Sequence, residues 1–299
     1  VMDFVEEIGY QPNTIAQSLS KGHMNIVALI LGDIRNPFYA ELTFKIQQIL
    51  NDNGYMVMTL NSEYDIEREL EFLKITEQFN FAGLILITAQ EEKIEEKLNR
   101  MDIPKVLVNR ILPTYAGDSV LIDNFQAGYL AVMHLIELGH KHIGFIKGPG
   151  VSSASSQRFA GYRQAIANYG LPFDEKFVFE SDLKMETGRL ISKKIVGLNI
   201  RPSAMVVVND MTAIGLMDGC RAAGIVIPQE LSIVSFDNIP FASMYGIELT
   251  TISQHVDKMG EKAAGLMLKQ LKDKNAKPER IIIEPTLIVR GTTCAYTEN

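Results

Sequence analysis

The chain has no tryptophan and only two cysteines, Cys220 and Cys294, in 299 residues. Two thiols cannot build a disulfide scaffold, and without a C-x-x-C pair they offer neither a zinc ribbon nor a redox centre. No apolar run reaches the ~18 residues of a membrane span, and no charged n-region followed by an apolar h-region opens the chain. The expectation is a cytoplasmic protein with no membrane partner. The signatures G-x-x-x-x-G-K-[ST], G-x-G-x-x-G and H-E-x-x-H are missing, as is the G-x-S-x-G elbow. With no acid–base–nucleophile constellation, neither an enzyme, a cofactor nor a metal is expected. Basic residues are in the minority, Lys+Arg 29 against Asp+Glu 36, for a net charge of -7. Taken whole, that balance excludes a non-specific nucleic-acid binder, because affinity for the phosphate backbone needs clustered Lys and Arg.

What is present is a regular alternation. Apolar runs of strand length recur at Ile26–Leu31, Tyr55–Leu60, Gly83–Ile87, Val106–Val108, Val120–Ile122, Ile143–Ile146, Ala204–Val208 and Ile233–Phe236. They are rich in Val and Ile and do not alternate with polar residues, as strands buried on both faces read. Between them lie segments of helical period. In Glu41–Asn53 the apolar positions are Leu42, Ile46, Ile49 and Leu50; Arg158–Tyr169 and Val256–Leu271 repeat the pattern. Strand–helix alternation predicts an α/β fold with parallel sheets. Eight strands exceed one mononucleotide-binding half, so two Rossmann-like subdomains are expected, joined near Leu138-Gly139-His140. In the tail, Pro285 breaks an extended segment and suits a crossing between subdomains.

In open α/β sheets ligands bind outside the carboxyl ends of the strands. The residues following the strands are Asp33 and Asn36-Pro37-Phe38-Tyr39, Asn61, Thr88, Asn109-Arg110, Asp123-Asn124, Gly148-Pro149-Gly150 with a Ser-rich loop ending at Arg158, Asp182, Asn209-Asp210, and Asp237-Asn238. Carboxylates accept, guanidinium donates in a fork and amides do both, a set suited to grasping several hydroxyls of a small polar molecule. Phe38 and Tyr39 could supply an apolar face. The competing reading is that Asp and Asn at strand ends cap the next helix; Arg110 and Arg158 cannot. His140-Lys141-His142 and Cys220 read as structural.

In register along the chain stand Gly9-Tyr10-Gln11-Pro12-Asn13 with Ala16 and Leu19, Asp33-Ile34-Arg35-Asn36-Pro37-Phe38-Tyr39, Leu138-Gly139-His140, Arg158-Phe159-Ala160-Gly161-Tyr162, Asn209-Asp210-Met211-Thr212-Ala213, Ser235-Phe236-Asp237-Asn238 and Leu249-Thr250-Thr251-Ile252. With these seven motifs the chain resembles the LacI/GalR family of bacterial transcription regulators over nearly its whole length. The resemblance implies a periplasmic-binding-protein-like (type I) core behind a helix-turn-helix headpiece and a hinge helix. Residues 1–22 then correspond to the end of the headpiece and the hinge, 23–139 with 254–284 to an N-terminal subdomain, and 140–253 with 285–299 to a C-terminal one. Asn13, Ala16 and Leu19 match the hinge helix, which in the family folds on operator DNA and inserts a leucine into the minor groove.

Phe38, Tyr39, Arg158, Asn209 and Asp237 match effector-binding positions; Arg110 and Asp123 stand where the family varies. Leu183 replaces a frequent aromatic. The implied function is that of a homodimeric repressor of sugar-metabolism genes, its operator affinity altered by a sugar or sugar phosphate. An extracytoplasmic sugar-binding protein of a transporter shares the fold and is the alternative.

Overall fold

The computed structural model describes residues 24–87 and 92–297. The headpiece and hinge segment 1–22, with Asn13, Ala16 and Leu19, and Thr88 lie outside the described residues. In chain order the elements are β1 (Met24–Leu31), α1 (Pro37–Asp52), β2 (Met56–Asn61), α2 (Ile66–Gln78), β3 (Phe81–Leu86), α3 (Glu92–Arg100), β4 (Lys105–Val108), β5 (Asp118–Ile122), α4 (Asn124–Glu137), β6 (Ile143–Lys147), α5 (Ser153–Asn168), β7 (Val178–Glu180), α6 (Met185–Val196), β8 (Ala204–Val207), α7 (Asp210–Ala222), β9 (Ser232–Asp237), β10 (Thr250–Ser253), α8 (Val256–Lys272), β11 (Arg280–Ile283) and β12 (Thr286–Ile288).

Two six-stranded sheets result, ordered β11-β5-β4-β3-β1-β2 and β12-β10-β9-β8-β6-β7. Every pairing is parallel except β12, which runs antiparallel to β10. The central strands explain themselves: Phe81-Ala82-Gly83-Leu84-Ile85-Leu86 is buried at every position, because helices cover both faces of the sheet. α1 and α8 pack together on the first sheet, and α6 against α7 and α4 against α5 on the second.

The chain passes between the sheets at Asp123, at Gln254-His255 and at Glu284-Pro285. The first passage corrects the expected join at Leu138-Gly139-His140. α4 precedes that point, yet it packs on α5 and against β8, β9, β10 and β12 of the second sheet. Pro285 falls between the last strand of one sheet and the last strand of the other, where its missing N–H disturbs no ladder.

Two helices begin earlier than their periodicity suggests. Asn36 caps α1, accepting from Phe38 N, and Pro37 occupies the first turn with its φ already helical. Ser152 caps α5, accepting from Ser155 N. Phe38 and Tyr39 therefore stand on a helix rather than a loop, and the Ser-rich stretch is helical before Arg158. His140 is buried; its Nδ1 lies 2.9 Å from Ser203 Oγ and its Nε2 3.1 Å from Cys294 O, so it ties the tail to the second sheet. Cys220 is a core residue on α7. Among the described residues no helix is long and apolar enough to cross a membrane, and no cluster of three His, Cys, Asp or Glu side chains could hold a metal.

Candidate functional site

The carboxyl ends of the strands in both sheets meet across one cleft. Phe38, Tyr39, Tyr64, Asn109 and Arg110 line it from the first sheet, and Ser155, Arg158, Leu183, Asn209 and Asp237 from the second, with Gln254 at a passage between them. The free space is about 40 Å³, room for a few waters and too little for a sugar ring. The side chains fill the cleft themselves. On the far side of Phe38 and Asp237 lies a more open groove of about 380 Å³, bordered by Glu41, His255, Lys258 and Arg290.

A continuous chain of hydrogen bonds joins the halves. Gln254 Nε2 donates to Asp237 Oδ1, and Gln254 Oε1 accepts from Asn109 Nδ2 at 2.7 Å. Asn109 Oδ1 accepts from Asn124 Nδ2 at 3.2 Å, and Asn124 Oδ1 from Arg158 Nε at 2.8 Å. Arg158 Nη1 then donates to Val208 O at 2.8 Å. Each amide uses one end as donor and the other as acceptor, so the order along the chain fixes every orientation.

Charge is concentrated here. Arg158 is 5% exposed, its guanidinium 4.6 Å from the centre of the Phe236 ring; burial pulls its pKa down to about 10, which leaves it protonated at neutral pH. Asp237, also 5% exposed, is pushed up to about 8, because burial outweighs the attraction of Arg158. Its backbone has φ 115°, a conformation that L-residues rarely adopt. Asn109 (φ 54°), Leu183 (φ 71°) and His255 (φ 50°) are likewise in positive-φ conformations at or beside the cleft. Strain of this kind concentrates at ligand clamps.

Asp210 supports Asp237 from beneath. Its fully buried carboxylate accepts from the Ser235 hydroxyl, from Thr251 Oγ1 at 2.7 Å and from Ile239 N at 2.8 Å. Burial raises it to about 6. These bonds tie β9, β10 and the turn after Asp237 to the start of α7.

Of the seven effector residues expected from the sequence, six line the cleft: Phe38, Tyr39, Arg110, Arg158, Asn209 and Asp237. Asn209 does two jobs, capping α7 through Thr212 N and donating to Leu183 O at 3.0 Å. Asp123 is not brought there. It is exposed, and its Oδ1 accepts from Gln126 N at 2.8 Å as the cap of α4; its neighbour Asn124 joins the network instead. Gln254 and Tyr64 line the cleft as well, and neither is expected from the sequence. Gln254 follows β10, a Thr-Thr-Ile-Ser strand with no apolar run to announce it. Tyr64 donates to Tyr39 at 3.2 Å from the turn after β2.

A family profile described as a periplasmic binding protein-like domain matches residues 132–293. The chain is 31% identical over 297 residues to the HTH-type transcriptional regulator DegA of Bacillus subtilis (strain 168), covering 98% of this chain and 88% of the relative. Among solved structures it is similar to a periplasmic binding protein/LacI transcriptional regulator from Alkaliphilus metalliredigens complexed with D-xylulofuranose, with 28% identity, TM-score 0.80, and coverage of 90% of this chain and 99% of that one. It is also similar to a LacI family transcriptional regulator from Enterococcus faecium with bound ribose, with 25% identity, TM-score 0.81, and coverage of 91% and 100%.

Proposed function

The chain belongs to the LacI/GalR family of transcriptional regulators, and on that premise we propose that it is a repressor of sugar-metabolism genes whose cleft takes a sugar or sugar phosphate as effector. The observation that supports this reading is the hydrogen-bonded chain Asp237–Gln254–Asn109–Asn124–Arg158. Each of its groups is a partner for a sugar hydroxyl. A polyol entering the cleft replaces these internal bonds with its own and changes the angle between the sheets. Effector and operator then compete or cooperate through that angle, since a ligand shifts an equilibrium by its differential affinity for the two states. Ribose and D-xylulofuranose are bound in two solved relatives, which favours a sugar.

The partners follow from the same reading. Operator DNA meets the hinge at Asn13, Ala16 and Leu19, in a cytoplasmic homodimer. Exposed apolar side chains favour self-association: Phe44 on α1 is 67% exposed and Met56 on the edge strand β2 is 69% exposed. An uncovered apolar edge of this kind marks a contact surface.

A thermal-shift screen of the chain across sugars, sugar phosphates and nucleobases tests the effector reading. A binder raises the midpoint by mass action, and the response disappears in Asp237→Ala. A screen in which only nucleobases stabilise the chain replaces the sugar with another effector class.

A further inference from the structure

Resting on the reading of the cleft as an effector site, we propose that the effector carries an oxyanion, a phosphate monoester or a carboxylate on a small polyol, and that Arg110 and the first turn of α5 hold it. Arg110 is 5% exposed and lines the cleft. Its Nη1 donates to its neighbour's carbonyl, Asn109 O, at 2.6 Å, and its Nη2 reaches Tyr39 Oη only at 3.4 Å. Its Nε has no partner. A guanidinium is charged at every accessible pH, and burying it unpaired is costly.

No ion pair balances that charge. Among the described residues no ion pair involves Arg110 or Arg158. Arg158 donates to an amide and a carbonyl, both neutral. Asp237 is the one carboxylate among the lining residues, and burial holds it largely protonated at neutral pH. Two buried guanidiniums thus share one carboxyl group, which leaves an excess of positive charge in either protonation state of Asp237.

The amino end of α5 adds to this. Ala154 and Ser155, in the first turn of a 16-residue helix, line the same cavity as Arg110. Ile111 N donates to Ser153 Oγ at 3.2 Å, which joins the segment after Arg110 to that helix end. The positive end of the helix and a forked donor with a free N–H together suit an oxyanion. A neutral sugar would satisfy the amides and leave the guanidinium charge unmatched.

The test uses the whole chain with inorganic phosphate and acetate as probes, against chloride at equal ionic strength. Phosphate or acetate is expected to raise the thermal midpoint of the wild type. Arg110→Gln is expected to bind the favoured anion at least about tenfold more weakly by calorimetry, and Arg110→Lys, which keeps the charge, to fall between. Preference for phosphate assigns a phosphate monoester and preference for acetate a carboxylate. No response to either anion in the wild type overturns the proposal, as does an Arg110→Gln or Arg110→Lys variant that binds as poorly or as well as the other. A neutral sugar that stabilises the chain while both anions fail leaves the effector reading standing and removes this one. An anion response that depends on Arg110, with no sugar of any kind binding, does the reverse.

Discussion

The α-carbon of Gly128 on α4 rests against the carbonyl of Arg158 on α5: a Cβ at residue 128 would lie 2.0 Å from that oxygen. The contact is reciprocated at Gly161, where a Cβ would lie 2.1 Å from Phe125 O. Two helix backbones touch here, and the height of Arg158 over the cleft is set by the absence of one methyl group. Gly128→Ala must push α5 outward and lift the guanidinium from Asn124. We expect a loss of about 1–3 kcal/mol of stability, as for other overpacked sites, together with weaker effector binding. Urea unfolding and calorimetry check it; a variant with unchanged affinity would separate the helix contact from the site.

Asp237→Asn keeps the fold and weakens the effector. Asparagine tolerates positive φ as well as aspartate does, so the φ 115° backbone is retained. Its amide still meets Gln254 but offers a sugar hydroxyl one acceptor oxygen where the carboxyl group offers two, and it replaces an O–H donor with an NH2. The expected loss is about 1 kcal/mol, the worth of an ordinary hydrogen bond. Equal affinities by calorimetry would remove Asp237 from the site.

The same residue makes stability depend on pH. Folded Asp237 titrates near 8, whereas in the unfolded chain it titrates near its ordinary 3.8. Between these values the unfolded chain has lost the proton that the folded chain keeps. The stabilisation is full below about pH 4 and is lost as pH rises through the folded value. Without ligand, the thermal midpoint of the wild type should fall from pH 5 to pH 8 more steeply than that of Asp237→Asn. Asp210 is raised in the same direction and repels the Asp237 carboxylate, so the difference between the two curves reads Asp237 together with its effect on Asp210. Parallel curves would show that Asp237 ionises normally.

Self-association through α1 and β2 predicts that charges placed there dissociate the chain. Phe44→Lys combined with Met56→Lys should shift sedimentation to the monomer without changing the circular dichroism spectrum. A wild type that is monomeric at micromolar concentration contradicts the proposed dimer.

Much of the cleft is legible in the sequence because buried parallel strands are uninterrupted apolar runs and ligand groups follow them directly. Arg158 and Asp237 stand out since neither serves an ordinary cap. The errors have local causes. Asp123 reads the same whether it caps a helix or faces a ligand; only the 2.8 Å bond to Gln126 N decides. Gln254 escapes notice because β10, Thr-Thr-Ile-Ser, has one apolar residue and lacks the uninterrupted run of the other central strands. The first passage between sheets is not legible because α4 has the pattern of any amphipathic helix, and nothing in that pattern says which sheet it covers.

The three passages at Asp123, Gln254-His255 and Glu284-Pro285 have a mechanical meaning. One tie would let the halves swivel freely, and two would leave them free to flap about the line between the ties. Three short ties side by side resist torsion and sliding and leave bending as the soft direction. Any molecule lodged in the cleft is thereby translated into a single coordinate, the opening angle, whatever its shape.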